Sequence, residues 1–241
     1  MATYACADLH GRLDLYLKIK KFLQPDDVVY FLGDAGDRGS DGWELIKTIY
    51  NDEQFIYMKG NHEDMLIKAM LSWKRNPYFA SKEYKDLERN GGQKTLEDWL
   101  QDGKDFSWVE KLNALPLHLE YFNKNGIFML LSHAGYTPWT AEDNKRQILI
   151  PDPFNLLWNR DHFYDDWIDE DCFSNGIIVH GHTRIPSLML RLCDKRKELP
   201  TGSYWYCNNH KVCIDNSAIT TGVAILLNLD TLSDVIIGVN D

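Results

Sequence analysis

The sequence predicts an α/β fold, because short apolar stretches alternate with amphipathic helical stretches near the start of the chain. Residues 3–7, 28–32 and 55–58 are continuous apolar runs, which is typical of strands covered on both faces. Apolar residues at helical spacing lie between them, in residues 12–23 and 41–51. We therefore expect parallel strands joined by helices.

The rest of the chain predicts further strands after a helical excursion at about residues 62–115, which carries Trp73, Trp99 and Trp108 on apolar faces. A hairpin is expected to turn at Asn208 and Asn209. The other predicted strands lie in residues 126–135, 176–183, 222–229 and 233–239. We expect residues 1–241 to form a single domain with the helical excursion inside it.

The composition excludes some classes of function. The chain has 241 residues, 44% of them hydrophobic, and a formal net charge of −10. An acidic surface repels a phosphate backbone, which argues against a nucleic-acid partner but leaves room for a local cationic site. No stretch is typical of a signal peptide or a membrane span, and we predict a cytoplasmic protein with no membrane partner.

The five cysteines are irregularly spaced, which indicates reduced thiols rather than a disulfide framework. A structural zinc site remains an alternative, although no CxxC pair supports it. Its ligands would be Cys193, Cys207, Cys213 and His210.

Five predicted strands end in short polar turns that carry Asp, Asn or His. The turns read "YACADLHG", "YFLGDAGDRG", "FIYMKGNHE", "MLLSHAG" and "IIVHGHT". Each turn alone is explained by a helix cap or a structural histidine. Ligands collect at the carboxyl ends of parallel strands, however, and these donors suit divalent metals. The joint pattern therefore predicts a metal site.

The motifs DLHG, GDAGDRG, GNHE, HAG and GHT, in this order, resemble those of the calcineurin-like metallophosphoesterases, over roughly the whole chain. More narrowly, they resemble the bacterial and phage-type serine/threonine protein phosphatases, because DRG marks the phosphoprotein phosphatase branch. Supporting stretches are "NGGQKT", "LLWNRD" and "VCIDNSA". The resemblance implies a two-sheet β-sandwich flanked by helices, an α/β fold that some schemes class as α+β.

The resemblance also implies two divalent metal ions, which we expect to be Mn²⁺, with Fe or Zn²⁺ as alternatives. Asp34 would bridge them, and a hydroxide held between them would attack phosphorus. The first ion would be held by Asp8, His10 and Asp34, and the second by Asp34, Asn61, His133 and His182.

Four further residues carry the implied chemistry. His62 would be the general acid, oriented by Asp37, and Arg38 and Arg160 would bind the phosphate oxygens. His180 leaves two possibilities open, a role near the substrate or a buried structural histidine. His118, His162 and His210 match no motif and are expected to be structural.

The function that the resemblance implies is hydrolysis of phosphoserine or phosphothreonine in a phosphoprotein or phosphopeptide. One alternative is a hydrolase of dinucleoside polyphosphates, which uses the same core and often the same motifs. Another is a non-catalytic scaffold that keeps a metal site for binding partners.

Overall fold

The computed structural model describes residues 1–77, 79–136, 153–160, 176–194 and 200–238. Within these ranges the chain forms two five-stranded sheets that enclose an apolar core, with helices on their outer faces. The predicted fold class, a two-sheet α/β sandwich flanked by helices, is confirmed. That residues 1–241 form one domain stays a prediction.

The first sheet contains the predicted parallel strands. Its strands, in spatial order, are β10 (Asp234–Gly238), β9 (Val223–Asn228), β1 (Thr3–Cys6), β2 (Val28–Phe31) and β3 (Phe55–Tyr57). Strands β1, β2 and β3 are parallel, and β9 and β10 are antiparallel additions beside β1. The connections between the parallel strands are α1 (Leu13–Phe22) and α2 (Gly42–Tyr50).

The second sheet mixes parallel and antiparallel pairs. Its order is β4 (His118–Phe122), β5 (Phe128–Ser132), β6 (Ile177–His180), β8 (Lys211–Cys213) and β7 (Tyr204–Tyr206). Strands β5, β6 and β8 run parallel, so their carboxyl ends point the same way. The hairpin between β7 and β8 turns at the predicted asparagines, which both have positive φ.

Alternation along β1 explains why the strands are apolar without interruption. Tyr4 and Cys6 belong to the core beneath the helices, whereas Ala5 and Ala7 belong to the core between the two sheets. Because successive side chains point to opposite faces, a strand covered on both sides needs apolar residues at every position. The same reasoning applies to β2, which precedes Asp34.

The helical excursion is also confirmed. It consists of α3 (Asn61–Arg75), α4 (Lys82–Arg89), α5 (Gln93–Gln101) and α6 (Ser107–Asn113). Trp99 is fully buried between these helices and the core. Short helices elsewhere are α7 (Pro153–Trp158), α8 (Ile185–Arg191) and α9 (Ala218–Thr221). None of the helices in the described ranges combines the length and apolar character that a bilayer crossing requires.

Candidate metal centre and active site

The five polar turns lie together, as the pattern predicts. Asp8 follows β1, Asp34 follows β2, Asn61 begins α3 after β3, and His133 and His182 follow β5 and β6. The two sheets meet directly here, because the His182 backbone N–H donates to Asp8 Oδ2 at 3.0 Å. Within the first sheet, the His62 backbone N–H donates to Asp34 Oδ1 at 3.0 Å, which joins the turns after β2 and β3.

The backbone in these turns is left-handed at the residues that carry the site. Six residues with side chains have φ between 46° and 69°, a region that residues other than glycine rarely adopt. Such positions persist when the surrounding structure holds them, and they are concentrated at functional sites. The six are Asp8, His10, Asp34, Asp37, Arg38 and His182.

Two glycines let the turns approach each other closely. A Cβ on Gly60 would overlap the carboxylate of Asp34, and a Cβ on Gly181 would overlap the carboxylate of Asp8. Glycine is therefore needed at both positions by close packing against a buried carboxylate.

One half of the site, which we call the Asn61 side, contains Asp34, Asn61, His133 and His182. The His133 Nδ1–H donates to the Leu32 carbonyl at 2.8 Å, which turns Nε2 toward the site. That Nε2 lies 2.8 Å from Asn61 Oδ1 and 3.5 Å from Asp34 Oδ1. His182 Nδ1 is 2.9 Å from the same amide oxygen. These potential ligand atoms therefore converge, and a cation among them would reduce the repulsion between their lone pairs.

The other half, which we call the Asp8 side, contains Asp8, His10 and Asp34. The His10 Nδ1–H donates to the Gly36 carbonyl at 2.9 Å, so Nε2 carries the lone pair. This Nε2 lies 3.7 Å from Asp34 Oδ2 and 3.9 Å from Asp8 Oδ1. The two oxygens of Asp34 therefore face different sides, which is the geometry of a bridging carboxylate.

The charge balance of the site also fits cations. Burial lowers the pKa of His10 to about 3, and burial together with His133 lowers the pKa of His182, so both rings are neutral. Burial raises the pKa of Asp34, but Coulombic attraction to the protonated forms of His133, His62 and His10 outweighs this and lowers it below the ordinary value. Burial, followed by the charges of Asp215 and Asp34, raises the pKa of Asp8. A bound cation would offset this carboxylate repulsion.

In the described part of the chain, two groups of three residues each bring their ligand atoms within 4.8 Å of one another. One contains Asp34, His133 and His182, and the other contains His10, Asp34 and His62. The second group thus has His62 where the resemblance implies Asp8. The donors are carboxylate, amide and imidazole without thiolate, which fits Mn²⁺, Fe or Zn²⁺.

His62 is held by the predicted partner. Its Nδ1 lies 2.6 Å from Asp37 Oδ2, and both side chains are almost completely buried. Burial alone would lower the pKa of His62, but the charges of Asp34 and Asp37 raise it above the ordinary value. Arg38 lies over the same ring, with Nη2 at 2.9 Å from His62 Nε2 and Nη1 at 2.5 Å from His10 Nε2.

Glu63 is a positioning residue to which the sequence analysis assigned no role. It is fully buried, and its carboxylate accepts from the backbone N–H groups of Asp34, Ala35 and Gly60 at 2.8–2.9 Å. The Tyr57 hydroxyl donates to it at 2.8 Å. Glu63 therefore joins the turn after β2 to the turn after β3. The sequence signal for this role was the GNHE motif, which contains Glu63.

A cavity of about 440 Å³ opens beside His182. Arg38 and Arg160, the two predicted phosphate ligands, both line it. Arg160 Nε donates to Thr183 Oγ1 at 3.2 Å, directly after His182. The other lining residues are Arg184, Ser187, Arg191, Ser217 and Ile219.

The remaining histidines and the cysteines belong to neither group of ligand atoms or lie outside the described residues. His180 is fully buried, and its Nε2 is 2.8 Å from the Tyr206 hydroxyl, which favours the structural role. His210 Nδ1 donates to the Gly176 carbonyl at 2.9 Å, while His162 and Cys172 lie outside the described residues. The zinc alternative is not supported, because the cysteine and His210 ligand atoms form no compact group among the described residues.

Comparison with known sequences agrees with this geometry. The sequence profile of the calcineurin-like phosphoesterases matches residues 1–219. The chain belongs to this family. It is therefore a metallophosphoesterase, a hydrolase whose family uses divalent metals, and the resemblance inferred from the motifs is confirmed.

Individual relatives are more distant. Serine/threonine-protein phosphatase 2 of Escherichia coli is 29% identical over 142 residues, which cover 55% of this chain and 58% of the relative. The chain thus spans little more than half the length of that relative.

Solved structures support the fold. A protein described as a candidate diadenosine tetraphosphatase has a TM-score of 0.55 at 15% identity, covering 99% of this chain and 94% of its own. A serine/threonine phosphatase of Saccharomyces cerevisiae has a TM-score of 0.55 at 17% identity, covering 99% and 80%.

Proposed function

We propose that this metallophosphoesterase hydrolyses phosphoserine and phosphothreonine in proteins with two divalent metal ions. The observation that carries the proposal is Asp34, whose two carboxylate oxygens face separate sets of imidazole nitrogens beside a buried His62–Asp37 pair. The DRG motif and the relative from Escherichia coli support the choice of phosphoprotein as substrate. The predicted cytoplasmic location belongs to this proposal as well.

We propose the ligand division that the resemblance implies, with Asp34 shared between the two ions. The ions, when bound, supply Lewis acidity and lower the pKa of bound water toward neutrality. The protein contributes fixed tautomers, because the Leu32 and Gly36 carbonyls hold the Nδ1–H groups of His133 and His10 and turn each Nε2 inward. The ligands are Asp8, His10, Asp34, Asn61, His133 and His182.

His62 would donate a proton to the leaving oxygen of serine or threonine. With Nε2 accepting from Arg38, the ring is neutral in the present arrangement, whereas its raised pKa favours the protonated form. Both observations are satisfied if Arg38 turns from His62 to the phosphate when substrate binds. The freed Nε2 then takes a proton, and Asp37 keeps the imidazolium oriented through Nδ1.

Arg38 and Arg160 would bind the phosphoryl oxygens. Guanidinium groups form paired hydrogen bonds with phosphate and stabilise the negative charge of the transition state. Both side chains line the cavity beside His182, and Arg38 is exposed, so it can move without unpacking the core.

A second candidate function is hydrolysis of dinucleoside polyphosphates. The specific observation in its favour is that four arginines line the cavity beside the metal site, more than a single phosphate requires. The structural neighbour described as a candidate diadenosine tetraphosphatase has the same fold.

The test is to measure kcat/KM for a phosphoserine peptide and for diadenosine tetraphosphate on one Mn²⁺-loaded sample whose metal content is determined. We expect the phosphopeptide to be the better substrate. Rapid dinucleotide cleavage with negligible phosphopeptide turnover would replace the proposed function with the second candidate. No turnover of either substrate or of p-nitrophenyl phosphate would favour the scaffold alternative.

A further inference from the structure

The cavity beside the metal site contains two arginines that match none of the motifs. Arg184 immediately precedes α8, and Arg191 is the last residue of that helix. The two ends of α8 thus add two cationic side chains to the cavity that Arg38 and Arg160 also line. Both Arg184 and Arg191 are exposed.

The four arginines of this cavity have no close carboxylate partner in the part of the chain that the structure describes. Within residues 1–77, 79–136, 153–160, 176–194 and 200–238, no carboxylate lies within 4.0 Å of any of the four guanidinium groups that line the cavity. Arg191 and Arg38 both lower the pKa of Arg160, after burial, so these charges repel each other. The buried Asp215 and Asp34 attract Arg160 more weakly, so four guanidinium groups around one cavity keep a repulsion that a bound anion would reduce.

Structural explanations account for only part of this arrangement. A cation in the last turn of a helix interacts favourably with the helix dipole, which explains Arg191 alone. The fully buried Asp215 attracts Arg184 electrostatically, but they form no ion pair. Neither explanation requires both side chains to line the same cavity as Arg38 and Arg160, together with the Ser187 and Ser217 side chains.

We propose that Arg184 and Arg191 form a subsite for a second phosphoryl group carried by the same substrate. The inference rests on the proposed function, because the first phosphoryl group is the one held by Arg38 and Arg160 at the metal site. The lining fits this ligand, since guanidinium and hydroxyl groups donate hydrogen bonds to phosphate oxygens and Ile219 is the one aliphatic side chain among the described lining residues. The second group can come from a linked phosphate chain or from a neighbouring phosphorylated residue of a peptide.

The experiment compares the Arg184→Gln/Arg191→Gln variant with wild type on four substrates in Mn²⁺. The substrates are p-nitrophenyl phosphate, a peptide with one phosphoserine, the same peptide with two adjacent phosphoserines, and diadenosine tetraphosphate. The control is Arg75→Gln/Arg89→Gln, which removes two exposed charges from the helical excursion.

We expect the arginine variant to keep its kcat/KM on p-nitrophenyl phosphate and to lose about 10- to 100-fold on a substrate with two phosphoryl groups, as for lost hydrogen bonds to a charged group. The substrate that is affected identifies the source of the second group. Equal changes on all four substrates, or equal losses in the control, would overturn the subsite.

A second measurement separates this inference from the proposed function. Binding of pyrophosphate and of phosphate is measured by calorimetry on metal-free wild type and on both variants. The subsite predicts that pyrophosphate binds more tightly than phosphate and that only the Arg184→Gln/Arg191→Gln variant loses this preference. If wild type hydrolyses none of the four substrates, the proposed function fails, and this binding preference still decides the subsite.

Discussion

The two sides of Asp34 differ in how tightly their ligand atoms converge. On the Asn61 side, His133 Nε2 and His182 Nδ1 lie within 2.9 Å of one amide oxygen. On the Asp8 side, the corresponding distances from His10 Nε2 are 3.7 and 3.9 Å, and the Arg38 guanidinium lies against that nitrogen. The ligand atoms of the Asn61 side are the more compact of the two sets, whereas binding of a cation on the Asp8 side requires Arg38 to leave His10 Nε2. We therefore expect the Asn61 side to bind its metal more tightly.

The largest effect is expected for Asp34→Asn. This change removes the charge that both sides share, so both metals and all turnover should be lost together. Metal content by mass spectrometry and hydrolysis of p-nitrophenyl phosphate measure this, with Asp41→Asn on the exposed loop before α2 as control. Retention of one tightly bound metal would show that Asp34 belongs to one side only.

His62→Asn should retain both metals and lose about 10²- to 10⁴-fold in kcat on a phosphoserine peptide, as expected for removal of a general acid. The loss should be smaller on p-nitrophenyl phosphate, because its leaving group needs less protonation. His62 also lies within the compact group with His10 and Asp34. A loss of metal in this variant would assign His62 to the Asp8 side as a ligand.

The expected difference in metal affinity between the Asn61 side and the Asp8 side is tested with His10→Ala and Asn61→Ala. Each removes one ligand from one side, and Mn²⁺ titration calorimetry measures the ion that remains. We expect the remaining ion to bind at least about 10-fold more tightly in His10→Ala than in Asn61→Ala, the range typical of perturbed metal sites. Equal affinities in the two variants would contradict the proposed difference.

The smallest effect is expected for Glu63→Gln. The amide leaves at least one of the backbone N–H groups of Asp34, Ala35 and Gly60 without its acceptor. The free energy of unfolding should therefore fall by about 1–3 kcal/mol. Urea denaturation of the metal-free protein measures this change. The control is Glu44→Gln on the surface of α2, where the carboxylate is 58% exposed and little change is expected.

The candidate metal ligands could be named from the sequence because each lies in a short polar turn after an apolar strand, and strand ends of parallel sheets meet. Their role as ligands stays a prediction. Asp8, Asp34 and His182 are examples of this local signal. Glu63 lies in one of the same turns, but two of the N–H groups that it binds are 28 and 29 residues away, and the sequence does not show these contacts. Arg184 and Arg191 were not assigned because only the tertiary structure shows that both ends of α8 lie at the cavity.

Strand β4 shows a similar limit within the fold. Its residues, His118–Phe122, are half-buried or exposed at the edge of the second sheet, so their pattern lacks a continuous apolar run. Pairing with β5 defines the strand, and this pairing is a contact between segments rather than a property of either one. The central strands were predictable because burial on both faces requires a continuous run of apolar residues.

The left-handed turns that carry the site have a consequence for attempts to make this protein more heat-resistant. A residue with a Cβ in this conformation costs about 1–2 kcal/mol, and glycine avoids this cost. Selection for thermal tolerance alone is therefore expected to enrich inactive sequences with glycine at positions such as Asp37 or Arg38. Directed evolution should instead target exposed positions of the helical excursion, where stabilising substitutions leave the residues of the candidate active site unchanged.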